Sequence, residues 1–297
     1  MRYPGIKLLP HTRALPLVLC ATLTACEKDG GTPAFLRMEQ AKVVAADGVT
    51  VIPSSITDLW VFADQQPVGV WQAGRRIPAL AEGPTLIQVI AGVRKNGITN
   101  DRIQYPFLAT FAVTKDLVAG EETSVAPVFQ YFNNVTEWSE GFEVPDALAF
   151  NTSEGDTAFH VFDADDPGEV DEVLSGEGSG GIVLDVLHPT FRAVSNADPA
   201  FPYINGPVFL ELDHRSDTRF LVGVRYTNNG QSVSVPLVYV SPSALNDGTR
   251  PWKHVYIDLG SAWNSGVFTD RQFYIEAALE NGASAARITL DNVRVIR

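Results

Sequence analysis

The residues best suited to chemistry lie in one short run, Glu211-Leu212-Asp213-His214-Arg215-Ser216-Asp217. Successive side chains of a β-strand point to opposite faces, so on a strand Glu211, Asp213, Arg215 and Asp217 share one face. Glycoside hydrolysis needs two carboxylates flanking the sugar bond, one to protonate the leaving oxygen and one to act as base or nucleophile. Glu211 and Asp213 are therefore the candidate pair for a hydrolase. The competing reading is a strand with a charged, solvated face.

Other candidates are weaker. Asp163-Ala164-Asp165-Asp166-Pro167-Gly168-Glu169, followed by Asp171-Glu172, is acidic enough to suggest a calcium loop. An EF-hand loop takes oxygens from positions 1, 3, 5 and 12, with Gly at 6. Counted from Asp163, position 5 is Pro167 and position 12 is Leu174, so the pattern fails and a solvated, flexible loop is expected. His160, His188, His214 and His254 are scattered, without a His-x-x-x-His pair or a cysteine partner, which argues against zinc. Ser179, in Gly178-Ser179-Gly180, lacks the strand–elbow–helix setting of a serine nucleophile and reads as a flexible turn. The tryptophans Trp60, Trp71, Trp138, Trp252 and Trp263 suit either sugar stacking or core packing. Trp263 sits in the polar stretch Gly260-Ser261-Ala262-Trp263-Asn264-Ser265-Gly266, so it is expected at an exposed loop tip and is the best single candidate for ligand stacking.

The elements that must position these groups read as strands. The chain has 297 residues, 45% of them apolar and 19% charged, enough for about two globular domains. β-rich runs fall at 58–64, 68–71, 86–90, 107–113 and 123–128, with Gln65-Gln66-Pro67 and Asn96-Gly97 as turns and 78–83 as a loop. A second series falls at 208–213, 219–226, 233–240, 254–259, 272–279 and 287–296, the last with a bulge expected at Asp291-Asn292. The expected fold class is all-β: two tandem β-sandwich domains, over 35–132 and 138–297.

The N-terminus reads as an export leader. Residues 1–14 carry three positive charges, and an apolar segment of about 11 residues follows, too short to span a bilayer as a helix. Leu23-Thr24-Ala25-Cys26 then resembles the lipobox of bacterial lipoproteins. That resemblance implies a signal peptide over 1–25, an acylated Cys26 and a lipidated tether over 26–34. Glu27-Lys28-Asp29 is similar to the surface-export signal of Bacteroidetes lipoproteins, which implies an outer-membrane anchor with the protein exposed outside or facing the periplasm. Removing Arg2, Lys7 and Arg13 from 22 basic residues leaves 19 against 35 acidic ones, a net charge of −16. Such a body is repelled by phosphate backbones, so nucleic acid is discounted as a partner.

Two further resemblances concern the folded part. Leu59 to Trp71 and Ile77 to Val89 resemble the PEGA and carboxypeptidase-regulatory-like (Ig-like) β-sandwiches, which implies a spacer or adaptor without catalytic residues. Phe142-Glu143, Gly178 to Leu184 and Ile288 to Val295 resemble galactose-binding-like jelly rolls. In that family the matching acids, Glu143 and Asp291, would help hold a structural calcium ion. Three functions stay open: a membrane-anchored, non-catalytic glycan-binding lipoprotein, a structural or assembly subunit contacting other envelope proteins, or a glycosidase using Glu211 and Asp213.

Overall fold

The computed structural model describes residues 31–196 and 200–297. The leader, Cys26 and residues 26–30 of the expected tether lie outside the described residues. Ten strands form the N-terminal half: β1 (Ala34–Met38), β2 (Lys42–Val44), β3 (Asp58–Ala63), β4 (Gln66–Trp71), β5 (Arg76–Ala79), β6 (Gly83–Arg94), β7 (Arg102–Gln104), β8 (Phe111–Leu117), β9 (Glu122–Val125) and β10 (Val128–Gln130). Eleven follow: β11 (Glu137–Glu140), β12 (Phe150–Asn151), β13 (His160–Asp163), β14 (Gly178–Asp185), β15 (Thr190–Ser195), β16 (Phe209–Ser216), β17 (Phe220–Asn228), β18 (Gln231–Val240), β19 (Lys253–Asp258), β20 (Thr269–Ala278) and β21 (Ala285–Ile296). A four-residue helix, α1 (Gly260–Trp263), interrupts the second series. Among the described residues no helix is long and apolar enough to cross a membrane.

In the N-terminal half, the sheet β4-β3-β6-β7, with β8 also on β6, faces the smaller sheet β5-β1-β9 and the pair β10-β2. Strict alternation builds this half: along β6, Thr85, Ile87, Val89 and Ala91 are buried, and Leu36, Ile77 and Phe129 meet them from the opposite side. Each such aliphatic side chain withdrawn from water contributes about 1.5–3 kcal/mol. The expected loop at 78–83 is partly strand, because Pro78 lies on the edge strand β5, where a missing N–H costs no ladder bond. The turn expected at Gln65-Gln66-Pro67 falls instead on Asp64-Gln65, both at positive φ (48° and 66°), and β4 begins at Gln66.

The C-terminal half is a two-sheet sandwich. One sheet runs β13-β14-β21-β16-β19, with β11 also on β21, and the other runs β12-β15-β20-β17-β18. Leu210, Leu212, Ile288 and Leu290 of the first pack against Phe220, Val222, Phe273 and Ile275 of the second. The Gly178-Ser179-Gly180 segment, expected as a flexible turn, is the start of β14, which continues through Gly181. A Cβ on Gly180 would enter the Phe142 ring and one on Gly181 the Phe162 ring, so the glycines are there to let aromatics lie flat on the strand. The expected bulge is present: Glu211 pairs with Arg294, whereas Asp213 pairs with Asp291, and Asn292 takes φ 49°.

Residues Thr32–Arg297 form one compact unit. Phe209, Tyr256 and Ile296, on the outer face of the β21-β16-β19 sheet, belong to the N-terminal core. That sheet is thus a wall shared by both sandwiches, while the outer face of the β12-β15-β20-β17-β18 sheet is left open by the described residues. The Asn96-Gly97 turn strengthens the join. Asn96 N–H donates to Tyr256 O at 2.7 Å, and Asn96 Oδ1 accepts Asp258 N–H at 2.9 Å.

Candidate functional site

The two outer faces offer two sites. On the covered face, the bulge and the strand alternation turn Glu211, Asp213 and Arg294 away from the jelly-roll core and under the N-terminal sandwich. Glu211 has no exposed surface. Its carboxylate accepts from Tyr105 Oη, from Tyr131 Oη at 3.0 Å and from Arg294. His254 Nε2 stands 3.7 Å away, an ion-pair distance too long for a hydrogen bond. His254 Nδ1 meets Asp213 Oδ1 at 2.9 Å, and Asp213 Oδ2 accepts from Asn292 Nδ2 at 3.1 Å.

These contacts set the protonation states. Burial pushes the Glu211 carboxyl up, but His254 and Arg294 outweigh it and hold the group below the usual carboxylate range. Burial would also discharge His254, yet Asp213 and Glu211 raise its pKa to about 8. His214, its diagonal neighbour on β16, is driven the other way, to about 4, first by burial and then by Lys253. Burial above all raises the hydroxyls of Tyr105 and Tyr131, so both stay neutral donors to Glu211.

Glu211 and Asp213 do share a strand face, as expected, but Glu211 is neither solvated nor open to a substrate, while Asp213 lies at the floor of a cleft. A sugar bond must reach both carboxylates of a glycosidase, and two tyrosines and an arginine seal Glu211 from it. The two-carboxylate mechanism is therefore not available at this pair.

Trp263 requires a second correction. Expected at an exposed tip, it is 2% exposed and packs against Phe201 with ring centroids 5.2 Å apart. The stretch is polar because Ser261 and Asn264 face outward. The short helix α1 turns the indole inward to close one end of the sandwich, and Arg271 Nε holds the Trp263 carbonyl at 3.1 Å.

Glu143 and Asp291, expected as calcium ligands, do not converge on a cation. Asp291 is fully buried, and its carboxylate accepts the N–H groups of Ser175 at 2.9 Å, Asn292 at 2.6 Å and Leu174 at 3.2 Å. Glu143 is exposed and accepts Glu177 N–H at 2.7 Å. Calcium needs six to eight oxygens, whereas these oxygens point at N–H donors. Among the described residues no three His, Cys, Asp or Glu side chains form a group able to hold a metal. The two acids pin the Leu174–Glu177 loop through its backbone N–H groups. Burial lifts Asp291 to about 6, partly opposed by the N–H groups of Ser175 and Asn292.

The acidic segment is also more ordered than expected. Asp163 Oδ1 caps Asp165 N–H at 2.8 Å, and Asp166 Oδ1 caps Gly168 N–H at 2.7 Å. A 3-10 turn at Val170–Glu172 buries Glu172, where Thr289 Oγ1 donates to it at 2.7 Å and Arg287 at 3.2 Å.

On the open face, alternation along β15, β20 and β17 exposes a polar network. Arg225 makes a two-pronged contact with Glu154 at 2.7 and 2.6 Å. Arg192 bridges Glu154 at 3.1 Å and Glu276 at 2.7 Å, with its guanidinium carbon 4.2 Å above the Tyr274 ring. The Arg225 hydrogen bonds hold Glu154 below its ordinary pKa. Beside this network lies a cleft of about 660 Å³, lined by Arg219, Tyr239, Glu276, Glu280 and Asn281 over Leu221. Tyr239 is 60% exposed, and Arg219 lies 5.1 Å from its ring centre. The reading of the sequence missed all five lining residues. Their signal was phase: Tyr239 is the aromatic of β18 that pairs with outward-facing Leu221, between Val238 and Val240, which face the core.

No family model matches this chain, and no curated protein matches it. Among solved structures, it is similar to the CBM22-2 xylan-binding domain of Paenibacillus barcinonensis Xyn10C, at 10% identity and a TM-score of 0.36, over 53% of this chain and 97% of that one. It is similar to the K2 cleaved adhesin domain of Lys-gingipain, at 13% identity and a TM-score of 0.36, over 54% of this chain and 97% of that one. A family 29 carbohydrate-binding module aligns at 12% identity and a TM-score of 0.33, over 55% of this chain and 89% of that one. With TM-scores below 0.5, these are loose likenesses.

Proposed function

We propose that this is a non-catalytic glycan-binding protein, anchored to the bacterial envelope through an acylated Cys26, which takes its glycan in the open-sheet cleft. The observation that carries the reading is Tyr239. A large aromatic ring is left 60% exposed on the wall of a cleft whose other walls offer an arginine, two carboxylates and an amide. Sugar C–H faces suit an aromatic surface, and their hydroxyls need both donors and acceptors. Arg219 and Asn281 donate, Glu276 and Glu280 accept, and the mixed signs fit an uncharged saccharide.

The test is calorimetry of the full-length protein in detergent against a panel of neutral plant and microbial oligosaccharides. At least one should bind, and Tyr239→Ala should abolish the heat while the unfolding midpoint stays unchanged. Silence across the panel, or binding equal in Tyr239→Ala, would refute the reading. The anchor is tested separately, by mass spectrometry of protein from the native cell. A diacylglyceryl adduct on Cys26 supports it, and an unmodified thiol or a retained leader removes it.

A further inference from the structure

The seam between the two sandwiches leaves a space that the buried carboxylates do not fill. A cleft of about 590 Å³ opens there, walled by Ser54, Thr57 and Arg94 from the N-terminal half and by Trp252, Lys253 and His254 from the other. Arg94 ends β6 and is half-buried. Its Nε is shut off from solvent without a hydrogen-bond partner. Nearby cations already have acids, Lys95 with Asp101 at 3.5 Å and Arg102 with Asp58 at 3.3 Å. Lys253 is exposed, and its ammonium donates to the Pro242 carbonyl at 3.0 Å. Asp213, at the floor, spends its charge inward on His254 and Asn292.

Arg94 thus has no acidic partner among the described residues, in a chain with a net charge of −13, and it shares a cleft with a half-buried tryptophan. An unpaired, partly desolvated guanidinium favours a carboxylate that can accept two parallel hydrogen bonds. An indole beside hydroxyl-bearing walls favours a sugar ring over a bare anion. We infer that the seam cleft binds a saccharide carrying a carboxylate, with the acid group on Arg94 and the ring against Trp252. This site lies on the other sheet from Tyr239 and shares no residue with the open cleft, so either can fail without the other.

The experiment is calorimetry of the full-length protein in detergent with tetragalacturonate, tetramannuronate and sialyllactose, using lactose as the uncharged comparison. At least one acidic saccharide should bind, lactose should leave the seam empty, and added salt should weaken the acidic ligand. Arg94→Gln and Trp252→Ala should each cost about tenfold or more in affinity, the scale of a lost charge-assisted hydrogen bond or a lost stacking partner. Tyr239→Ala should leave the affinity unchanged. If Arg94→Gln does not fold, Arg94→Lys, which keeps the charge but loses the planar two-pronged contact, reads the same site through a smaller loss of affinity. The inference is overturned if none of the three acids binds, if Trp252→Ala and the Arg94 variant bind as wild type does, or if Tyr239→Ala is the variant that loses them.

Discussion

The two faces of the C-terminal sandwich hold similar side chains to different ends. Each carries a carboxylate gripped by arginine: Glu211 by Arg294 on the covered sheet, Glu154 by Arg192 and Arg225 on the open one. The Glu211 side chain has no exposure, while that of Glu154 keeps 39%. The same pairing therefore means different things. Under the N-terminal sandwich the charges have lost their water, and each is tolerable only because the others are present. On the open sheet water competes for every contact, so the network is cheap to disturb and its groups can exchange partners with a ligand. Strand chemistry alone does not separate a structural cluster from a binding surface; what covers the strand does.

The largest expected effect comes from breaking the covered cluster. Arg294→Leu leaves Glu211 buried without its cation and should cost about 3–5 kcal/mol, read as a drop in the denaturant midpoint. Trp263→Ala should lose a similar amount, about 3–5 kcal/mol, by opening a cavity at the end of the sandwich. Because the indole is interior, glycan affinity should survive in whatever fraction remains folded. Lost binding at unchanged stability would return Trp263 to the surface.

Next in size is the response to pH. His254 has a folded pKa near 8, above the ordinary 6.5. Its contribution is complete below pH 6.5 and is lost as the pH rises through 8, on the order of 2 kcal/mol. His214, near 4 when folded, contributes above pH 6.5 and loses that contribution as the pH falls through 4. Asp291, raised to about 6, contributes at low pH and loses that stabilisation as the pH rises through 6, against the His214 trend. The alkaline limb is therefore the clean one. Denaturant midpoints should fall between pH 6.5 and pH values above 8, and His254→Gln should flatten that fall.

The smallest effects belong to the open face. Glu154→Gln should change stability by only about 0.2–1 kcal/mol and less at high salt. Tyr239→Ala should stay within about 0.5 kcal/mol of wild type while losing the glycan. A stability loss at Tyr239 as large as at Arg294 would erase the distinction between the faces.

Much of the fold was legible because alternation carries it: β16 to β21 follow the apolar runs of the sequence, and the Asp291-Asn292 bulge was visible as two polar residues in a closing strand. The functional surface was harder to read. Period-two patterning says that Glu211 and Asp213 face away from Leu210 and Leu212, but not that Tyr105 and Tyr131, about a hundred residues earlier, will cover them. Trp263 misled because the polarity of its neighbours says nothing about which way a four-residue helix turns. Glu143 and Asp291 were picked out as calcium ligands, whereas their oxygens face backbone N–H groups, a partner that side-chain spacing does not reveal. Tyr239 was passed over because one aromatic in a valine-rich strand looks like core until its cross-strand partner, Leu221, fixes its phase.

The central claim is that the neutral glycan meets the open face while the buried cluster around Glu211 holds the two halves together. Hydrogen–deuterium exchange of the full-length protein, with and without a saturating neutral oligosaccharide from the panel, tests it most directly. Ligand should slow exchange at 219–221, 238–240 and 276–281 and leave the segments around Tyr105, Tyr131, Glu211 and Arg294 unchanged. Protection confined to those four segments, with none around Tyr239, would contradict the account.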